Sequence, residues 1–235
     1  MNLDAVYEPR VLKHSWKSRL FHWALILGFL PAAVTGFILW LRTGSEHFLH
    51  VAMQVHIASA AVVTVAAVWY TLFAFDRVVA FLRLIFTWSD RDVGWLLTGG
   101  GYPQKMLLGK KIAVPPMDKL NSGQKIFGIG FLFGGLLLIV SGWLLYAFIP
   151  VLPKAFIYWT DLTHLAVGVI VGLMIVPHVF LGVYNWGECK AMLGDGTQPL
   201  AEVQEHCPLW AANKIEPAKD DDLAKAPGAV SCEAK

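Results

Sequence analysis

Four of the eight histidines in this chain fall inside long apolar stretches that contain no Lys, Arg, Asp or Glu. They are His22, His56, His164 and His178. An ionisable side chain at membrane depth is costly, so each is a candidate functional residue. A proton relay or cation site would be expected to include a carboxylate at the same depth. Neutral imidazole is a strong metal ligand, so the pattern favours metal ligation.

The spacing of these histidines predicts two pairs. His164 and His178 lie 14 residues apart on one predicted helix, which puts them on one face, about 21 Å apart along its axis. The topology places His22 at the depth of His178, and His56 (or its rival His50) at the depth of His164. Two imidazoles on one haem iron leave no open position, which favours electron transfer. We therefore predict two b-type haems; the alternative is that these histidines are packed or hydrogen-bonded residues.

The composition indicates what must position the histidines. Apolar residues make up 56% of the 235 residues and charged residues 15%, against about a quarter charged in soluble domains. This balance excludes a disordered, collagen-like or coiled-coil chain. A bilayer core about 30 Å thick requires about 20 apolar residues per helix, and four stretches qualify: 20–41, 52–75, 126–148 and 162–184. The predicted fold class is an all-α membrane protein, a four-transmembrane-helix bundle enclosing two b-type haems.

Basic residues orient the predicted bundle. Four Lys and Arg precede the first span, seven lie in segment 76–124, and the two short loops have one each. The positive-inside rule then places both termini and segment 76–124 in the cytoplasm. We expect a cytoplasmic N-terminal arm (1–19), a four-helix dihaem domain (20–187) and a cytoplasmic C-terminal tail (188–235). The first span is expected to be retained rather than cleaved as a signal peptide.

Small residues flank the histidines and would let a flat macrocycle approach the helix backbones. They are Gly28, Gly36, Ala58, Ala60, Gly168, Gly172 and Gly182. The alternative for each is ordinary close packing between helices. Glycines 99–101 and the prolines at 115 and 116 predict an irregular loop over 88–116. No internal repeat of useful length is visible.

Several short motifs resemble a known family. Segment 19–23 (RLFHW), with Thr35-Gly36 downstream, resembles the first helix of the membrane dihaem cytochromes b that serve hydrogenases and formate dehydrogenases. Segment 119–125 (KLNSGQK) is similar to the N-x-G-Q-K motif of the respiratory formate dehydrogenase gamma subunit. Segment 140–142 (VSG) and the 14-residue histidine spacing also agree. The resemblance covers roughly residues 10–197.

The resemblance implies roles for individual residues. It implies that His56 and His164 ligate a haem near the outer face, and that His22 and His178 ligate a haem near the cytoplasm. It also implies a menaquinone or ubiquinone site beside the inner haem. The residues implied to line that site are Asn121, Gly123, Gln124 and His178. The alternative is that Asn121 caps the third helix, with Gln124 completing a capping box.

The same resemblance implies partners and a location. The chain would be the quinone-reducing membrane subunit of an oxidoreductase complex in the bacterial inner membrane, crossing it several times. An iron–sulfur subunit would deliver electrons, and a molybdenum or tungsten formate dehydrogenase subunit would oxidise the substrate. We expect no catalytic residue on this chain, contact with membrane lipid, a possible higher oligomer and no nucleic acid. Alternatives are a subunit of a hydrogenase or sulfur-compound reductase, a transporter, and a non-redox anchor.

Two segments depart from the family pattern. One is an apolar, glycine-rich insert over 93–116 in the cytoplasmic segment. The other is the tail, with Cys189, His206 and Cys207, whose spacing fits no standard metal site. Contact with a partner subunit or plain reduced thiols are the expected roles, with a metal site as the alternative.

Overall fold

The computed structural model describes residues 9–213, and four long helices dominate it. They are α1 (Trp16–Leu41), α2 (Glu46–Phe73), α6 (Ser122–Phe148) and α7 (Lys154–Tyr184). Each is long and apolar enough to cross a membrane. A helix satisfies its own backbone hydrogen bonds, which lipid cannot do, so apolar runs of this length form helices. The chain is therefore a mostly helical, multi-pass membrane protein, as predicted.

The four helices are longer than the apolar stretches that predicted them. The helix α2 begins at Glu46 rather than near residue 52, because Ser45 caps it by accepting a hydrogen bond from the Phe48 N–H. The helix α7 begins at Lys154 rather than near residue 162 and includes Asp161, which is exposed. Hydropathy detects the part of a helix that suits hydrocarbon, whereas hydrogen bonding continues into the polar interface.

Residues 20–78 and 127–181 form one compact unit that contains most of the four long helices. Its helices form two hairpins, α1–α2 and α6–α7, joined by short loops at 42–45 and 149–153. The first helix of the second hairpin begins 106 positions after that of the first, and the second helix 108 positions after. These nearly constant offsets relate spaced positions of the two hairpins, which gives a structural repeat without a continuous repeat in the sequence.

Equivalent positions of the two hairpins make equivalent contacts. A Cβ added to Gly28 of α1 would meet Val63 of α2, and a Cβ added to Gly134 of α6 would meet Val171 of α7. These glycines therefore allow close approach of the two helices within each hairpin, which is the packing alternative stated for Gly28.

The second compact unit contains the rest of the described chain, residues 9–19, 79–126 and 182–213. Its elements are β1 (Arg10–Leu12), most of α3 (Phe75–Phe86), α4 (Asp90–Leu97), a 3-10 turn (Gly99–Gly101), α5 (Tyr102–Leu108), α8 (Trp186–Leu193), β2 (Thr197–Pro199), α9 (Leu200–His206) and α10 (Pro208–Asn213). The strands pair antiparallel, with Val11 opposite Gln198.

Segment 88–116 is more helical than predicted. The glycines do form a turn, with positive φ at Gly99, Gly100 and Gly101, but α4 and α5 lie on either side of it. Ser89 begins α4 in a capping box with Asp92, which gives this short helix a defined start. The tail also folds as far as residue 213, and the remainder of the tail lies outside the described residues.

Candidate functional site

The four membrane histidines come together as the two predicted pairs. The ring centroids of His22 and His178 are 6.3 Å apart, and those of His56 and His164 are 6.2 Å apart. A metal–imidazole bond is about 2.0–2.1 Å long, and the ring centre lies about 1.1 Å beyond that nitrogen. Two imidazoles on opposite sides of one metal therefore have centroids about 6.2 Å apart. Both pairs have a separation that suits one metal between two rings.

The ring of His56 is oriented by α1. Its Nδ1 lies 2.9 Å from the Ala32 carbonyl oxygen and 3.2 Å from the Thr35 hydroxyl. A carbonyl only accepts, so Nδ1 carries the hydrogen and donates it. The Nε2 atom of a neutral imidazole then has a free lone pair, which is the state a metal ligand requires.

The ring of His164 is oriented in the same way by α6. Its Nδ1 lies 2.8 Å from the Ser141 hydroxyl oxygen, which itself lies 2.6 Å from the Leu137 carbonyl oxygen. The serine has one hydrogen and donates it to that carbonyl, so its oxygen accepts from Nδ1 of His164. This histidine therefore also keeps Nε2 free for a ligand.

Two glycines make room for these rings. A Cβ added to Gly36 would lie 3.1 Å from Cε1 of His56, and a Cβ added to Gly142 would lie 3.1 Å from Cε1 of His164. Beside the pair is a partly open space of about 60 Å³. Its lining includes both histidines, Ala60 and Gly142. Gly36 therefore lies beside a histidine ring, as expected, and its role in admitting a macrocycle stays a prediction.

The His22–His178 pair is held differently. The ring of His178 stacks on Phe127, with centroids 4.2 Å apart and planes 7° apart. Nδ1 of His22 is buried and has no hydrogen-bond partner among the described residues. Aromatic packing on one ring therefore takes the place of the hydrogen bonds that orient the other pair.

The N-x-G-Q-K motif forms the start of α6. The Asn121 side-chain oxygen accepts from the Gln124 N–H, and the Gln124 side-chain oxygen accepts from the Asn121 N–H, both at 2.9 Å. This reciprocal arrangement is the capping box that was the alternative to a quinone role. The cap uses only the two oxygens. Within residues 9–213, the NH₂ groups of both side chains have no hydrogen-bond partner, so both remain available as donors.

A buried ion pair fixes the same helix start to α4. Lys125 donates to Asp92 at 2.7 Å and to the Thr87 carbonyl at 2.8 Å, and Ser122 donates to Asp92 at 3.0 Å. Burial by itself raises the pKa of Asp92, but hydrogen bonds from Lys125, the Ser89 N–H and Ser122 outweigh it, and the pKa lies below its usual value. Sequence reasoning missed this pair, although Asp92, one position before the predicted insert, was the available signal.

The insert also covers Gly123. A Cβ added to Gly123 would lie 3.1 Å from the Trp95 ring, so the indole lies directly against this glycine. Tyr102 packs edge-on against Trp95 and accepts a hydrogen bond from Asn185 at 3.0 Å. The predicted quinone residues Asn121, Gly123 and Gln124 are thus neighbours within one unit and border aromatic side chains. His178, the fourth member, belongs to the four-helix unit, and their common site remains a prediction.

The tail residues do not gather into a metal site among the described residues. Cys207 is buried in a small core with Val11, Val203 and Trp210, while Cys189 is half-buried. Burial raises the pKa of the Cys207 thiol, and the nearby Lys13 opposes this only partly. A buried neutral thiol in an apolar core suits the role of a plain packing residue.

Comparison with known families agrees with this geometry. The sequence model of the prokaryotic cytochrome b561 family matches residues 13–195, which include all four histidines. The chain belongs to this family. Cytochromes b561 are membrane cytochromes b, so the family implies that the chain binds haem b, and the paired histidines fit that group.

Among curated relatives, this cytochrome b561 is similar to a formate dehydrogenase subunit. It is 25% identical over 138 residues to the nitrate-inducible formate dehydrogenase cytochrome b556(Fdn) subunits of Escherichia coli K12 and Shigella flexneri. The aligned part is 57% of this chain and 61% of each relative, so the chain spans about three fifths of the length of the curated relatives it matches. The predicted resemblance to formate dehydrogenase cytochromes b is confirmed.

Proposed function

We propose that this chain is the cytochrome b membrane subunit of a respiratory formate dehydrogenase complex. Electrons from a partner iron–sulfur subunit would cross the membrane through two b haems and reduce membrane quinone, either menaquinone or ubiquinone. The observation that carries the proposal is the pair of ring separations, 6.2 and 6.3 Å, which suit two imidazoles on one metal. Formate oxidation belongs to a molybdenum or tungsten subunit outside this chain.

The four histidines would act as the axial ligands. His56 and His164 would hold one haem, and His22 and His178 the other. When bound, each haem supplies a one-electron couple. The protein contributes ligand orientation: Nδ1 of His56 and of His164 is committed to hydrogen bonds within the protein, so Nε2 is the atom offered to iron.

The start of α6 would contribute to the quinone site. A quinone carbonyl only accepts hydrogen bonds, and the NH₂ groups of Asn121 and Gln124 are the donors that the capping box leaves over. Gly123 would leave the backbone accessible, and His178 is the fourth residue that the family resemblance implies for quinone binding. The buried Asp92–Lys125 pair supports the arrangement because it fixes the first turn of α6.

The direction of electron flow gives a reason for two haems. If the basic segment 76–124 lies on the cytoplasmic side of the inner membrane, the His56–His164 pair lies toward the outer side. Electrons delivered there and used near the cytoplasm move against a negative interior, which stores about 2.3 kcal/mol per charge per 100 mV. Protons for quinone reduction would then be drawn from the cytoplasm.

The first test is the haem content of the chain purified in detergent. We expect a reduced b-type absorption spectrum with two haems per chain, and the same content in His50→Ala, a control histidine on α2. A chain without haem would exclude the proposal and would favour the alternatives, a non-redox anchor or a transporter. Identification of the co-purifying subunits distinguishes a formate dehydrogenase partner from a hydrogenase or sulfur-compound reductase.

The second test separates the two roles of Gln124. Gln124→Glu keeps an oxygen for the Asn121 N–H and removes the NH₂ donor, whereas Gln124→Ala removes both. We expect Gln124→Glu to keep both haems and the thermal stability of the protein but to reduce quinone turnover about tenfold or more. Unchanged quinone kinetics would leave Gln124 with the capping role alone.

A further inference from the structure

The two histidine pairs differ at the ring nitrogen that faces the protein. In the His56–His164 pair, both Nδ1 atoms donate hydrogen bonds, at 2.9 Å and 2.8 Å. In the His22–His178 pair, Nδ1 of His22 is buried without a partner among the described residues, and the ring of His178 is held by stacking on Phe127. The electronic surroundings of the two predicted haem sites are therefore unequal.

One arrangement of a hydroxyl residue followed by a glycine occurs twice beside the His56–His164 pair. Thr35-Gly36 on α1 and Ser141-Gly142 on α6 are separated by 106 positions, the offset that relates the two hairpins. In each, the hydroxyl lies against Nδ1 of the histidine and the following glycine leaves space for its ring. Both hydroxyl residues are buried, at 8% and 6% exposure.

We propose that Thr35 and Ser141 are positioning residues that set the reduction potential of the haem held by His56 and His164 below that of the other haem. The inference rests on the proposed function, because it takes the four histidines as axial ligands. It adds a role for two side chains that touch neither iron nor substrate.

The physical basis is electron donation through the imidazole. Ser141 donates its hydroxyl hydrogen to the Leu137 carbonyl at 2.6 Å, which makes its oxygen a better acceptor for the His164 N–H. An imidazole whose N–H is drawn toward an acceptor is a more basic ligand. A more basic ligand stabilises the oxidised iron, so it lowers the reduction potential.

The two hydroxyls contribute unequally to the hydrogen bonding of their histidines. Ser141 is the one hydrogen-bond partner of Nδ1 of His164 among the described residues. His56 has the Ala32 carbonyl at 2.9 Å as well as the Thr35 hydroxyl at 3.2 Å. Loss of the Ser141 hydroxyl removes the whole contact, whereas loss of the Thr35 hydroxyl leaves the shorter of two contacts.

The consequence is a potential difference that drives electrons from the His56–His164 end toward the His22–His178 end. Under the proposed orientation this is the direction that the membrane potential opposes. The lower reduction potential of the haem at the donor end would therefore offset part of the work that electrons do against the membrane potential on their way to quinone.

The experiment is an optical redox titration of the haem-loaded protein in detergent. We expect Ser141→Ala to raise the midpoint potential of one b-type component by about 59 mV, which is a tenfold change in its equilibrium constant. The midpoint potential of the other component should not change. Thr35→Val should raise the same component by a smaller amount. His178→Ala, titrated in parallel, identifies the component that belongs to the His56–His164 pair.

Two further variants distinguish a tuning role from a structural one. Ser141→Thr keeps a hydroxyl, as at the equivalent position 35, and should retain the original midpoint. Thr71→Val is the matched control, because Thr71 bonds the Ala67 carbonyl of its own helix at 2.8 Å and no histidine; it should shift neither component. Two haems with unshifted midpoints in Ser141→Ala would overturn this inference alone, whereas a chain without two haems would overturn the proposed function.

Discussion

The hairpins α1–α2 and α6–α7 are alike at one end and different at the other. Near the short loops, each has a hydroxyl residue and a glycine on its first helix against a histidine on its second. At the far end, His178 of α7 takes the place that Tyr70 has on α2, 108 positions earlier. His22 of α1 has Gly128 as its equivalent on α6.

The far end nevertheless keeps the same packing. Phe21 stacks on Tyr70 with centroids 4.3 Å apart, and Phe127 stacks on His178 with centroids 4.2 Å apart, both with planes 7° apart. The repeat therefore specifies a place for a flat ring against a phenylalanine, and the side chain at that place decides whether it can ligate a metal. One histidine pair uses equivalent positions of the repeat, and the other uses positions where the repeat is broken.

The largest effect should come from removing the histidine at either end. We expect His164→Ala and His178→Ala each to lose one of the two haems, since a haem with a single protein ligand is poorly retained. Partner-driven reduction of the remaining haem should survive in His178→Ala, while quinone reduction stops. Tyr70→Phe, at the position equivalent to His178, should retain both haems. Haem-to-protein ratios measure this, and two haems in His178→Ala would show that the pairing is wrong.

The next largest effect concerns the fourth residue of the first helix in each hairpin. Position 125 of α6 is a buried lysine paired with Asp92, and the equivalent position of α1 is Arg19. Asp92→Ala leaves the Lys125 charge buried and unpaired, which should destabilise the protein by about 3–5 kcal/mol. Asp90→Ala, an exposed carboxylate on the same helix, should change stability little.

The same pair predicts a pH dependence. Because the pKa of Asp92 is lowered in the folded protein, its contribution is fully present above the pKa of an unfolded aspartate, about 3.9, and is lost as the pH falls through the folded value. Thermal melts of the wild type and Asp92→Asn should therefore converge in acid and differ at neutral pH. A constant difference between them across this range would contradict the pairing.

A smaller effect should follow from filling the space beside a histidine. In Gly142→Ala the new Cβ lies 3.1 Å from the His164 ring, so the ring must shift from the position in which we propose that it ligates haem. We expect about tenfold weaker haem retention at that pair, as for loss of an outer contact to a metal ligand. Gly135→Ala is the control on the same helix, because a Cβ there meets nothing within 4 Å. Haem loss to apomyoglobin measures the difference.

The smallest effect should come from the stacked phenylalanines. Phe127→Leu removes the ring against His178, a contact worth about 0.5–1.5 kcal/mol, and should loosen the haem held by His22 and His178. Phe21→Leu removes the equivalent ring against Tyr70 and should leave haem binding unchanged. The spectral broadening of each b-type component at low temperature reports which haem is affected, and equal effects of the two variants would argue against a special role for Phe127.

Much of the helical scaffold could be predicted from the sequence. Apolar runs of about 20 residues have only a helical solution in lipid, so the four spans followed from composition. The two histidine pairs followed from helical periodicity and from alternating chain direction. The bounds were less certain, because Ser45 and Asn121 extend α2 and α6 by capping them outside the apolar stretches.

The finer parts of the site could not be predicted in the same way. The sequence offered two roles for Asn121 and Gln124, and the structure shows that the capping box uses their oxygens and leaves their NH₂ groups over. Segment 88–116 read as a loop because its glycines and prolines are clustered, yet α4 forms beside them through the Ser89–Asp92 capping box. The signal for the repeated Thr35-Gly36 and Ser141-Gly142 device was present, as a common offset of 106.

The sequence by itself determined that this chain crosses a membrane and carries imidazoles at two depths, because hydrophobicity and helical periodicity act along the chain. Only the tertiary structure decided which atom of each imidazole remains free, because a histidine tautomer depends on an acceptor from another helix. The Ala32 carbonyl and the Ser141 hydroxyl supply that acceptor for one pair. Neither contact follows from the order of residues along the chain.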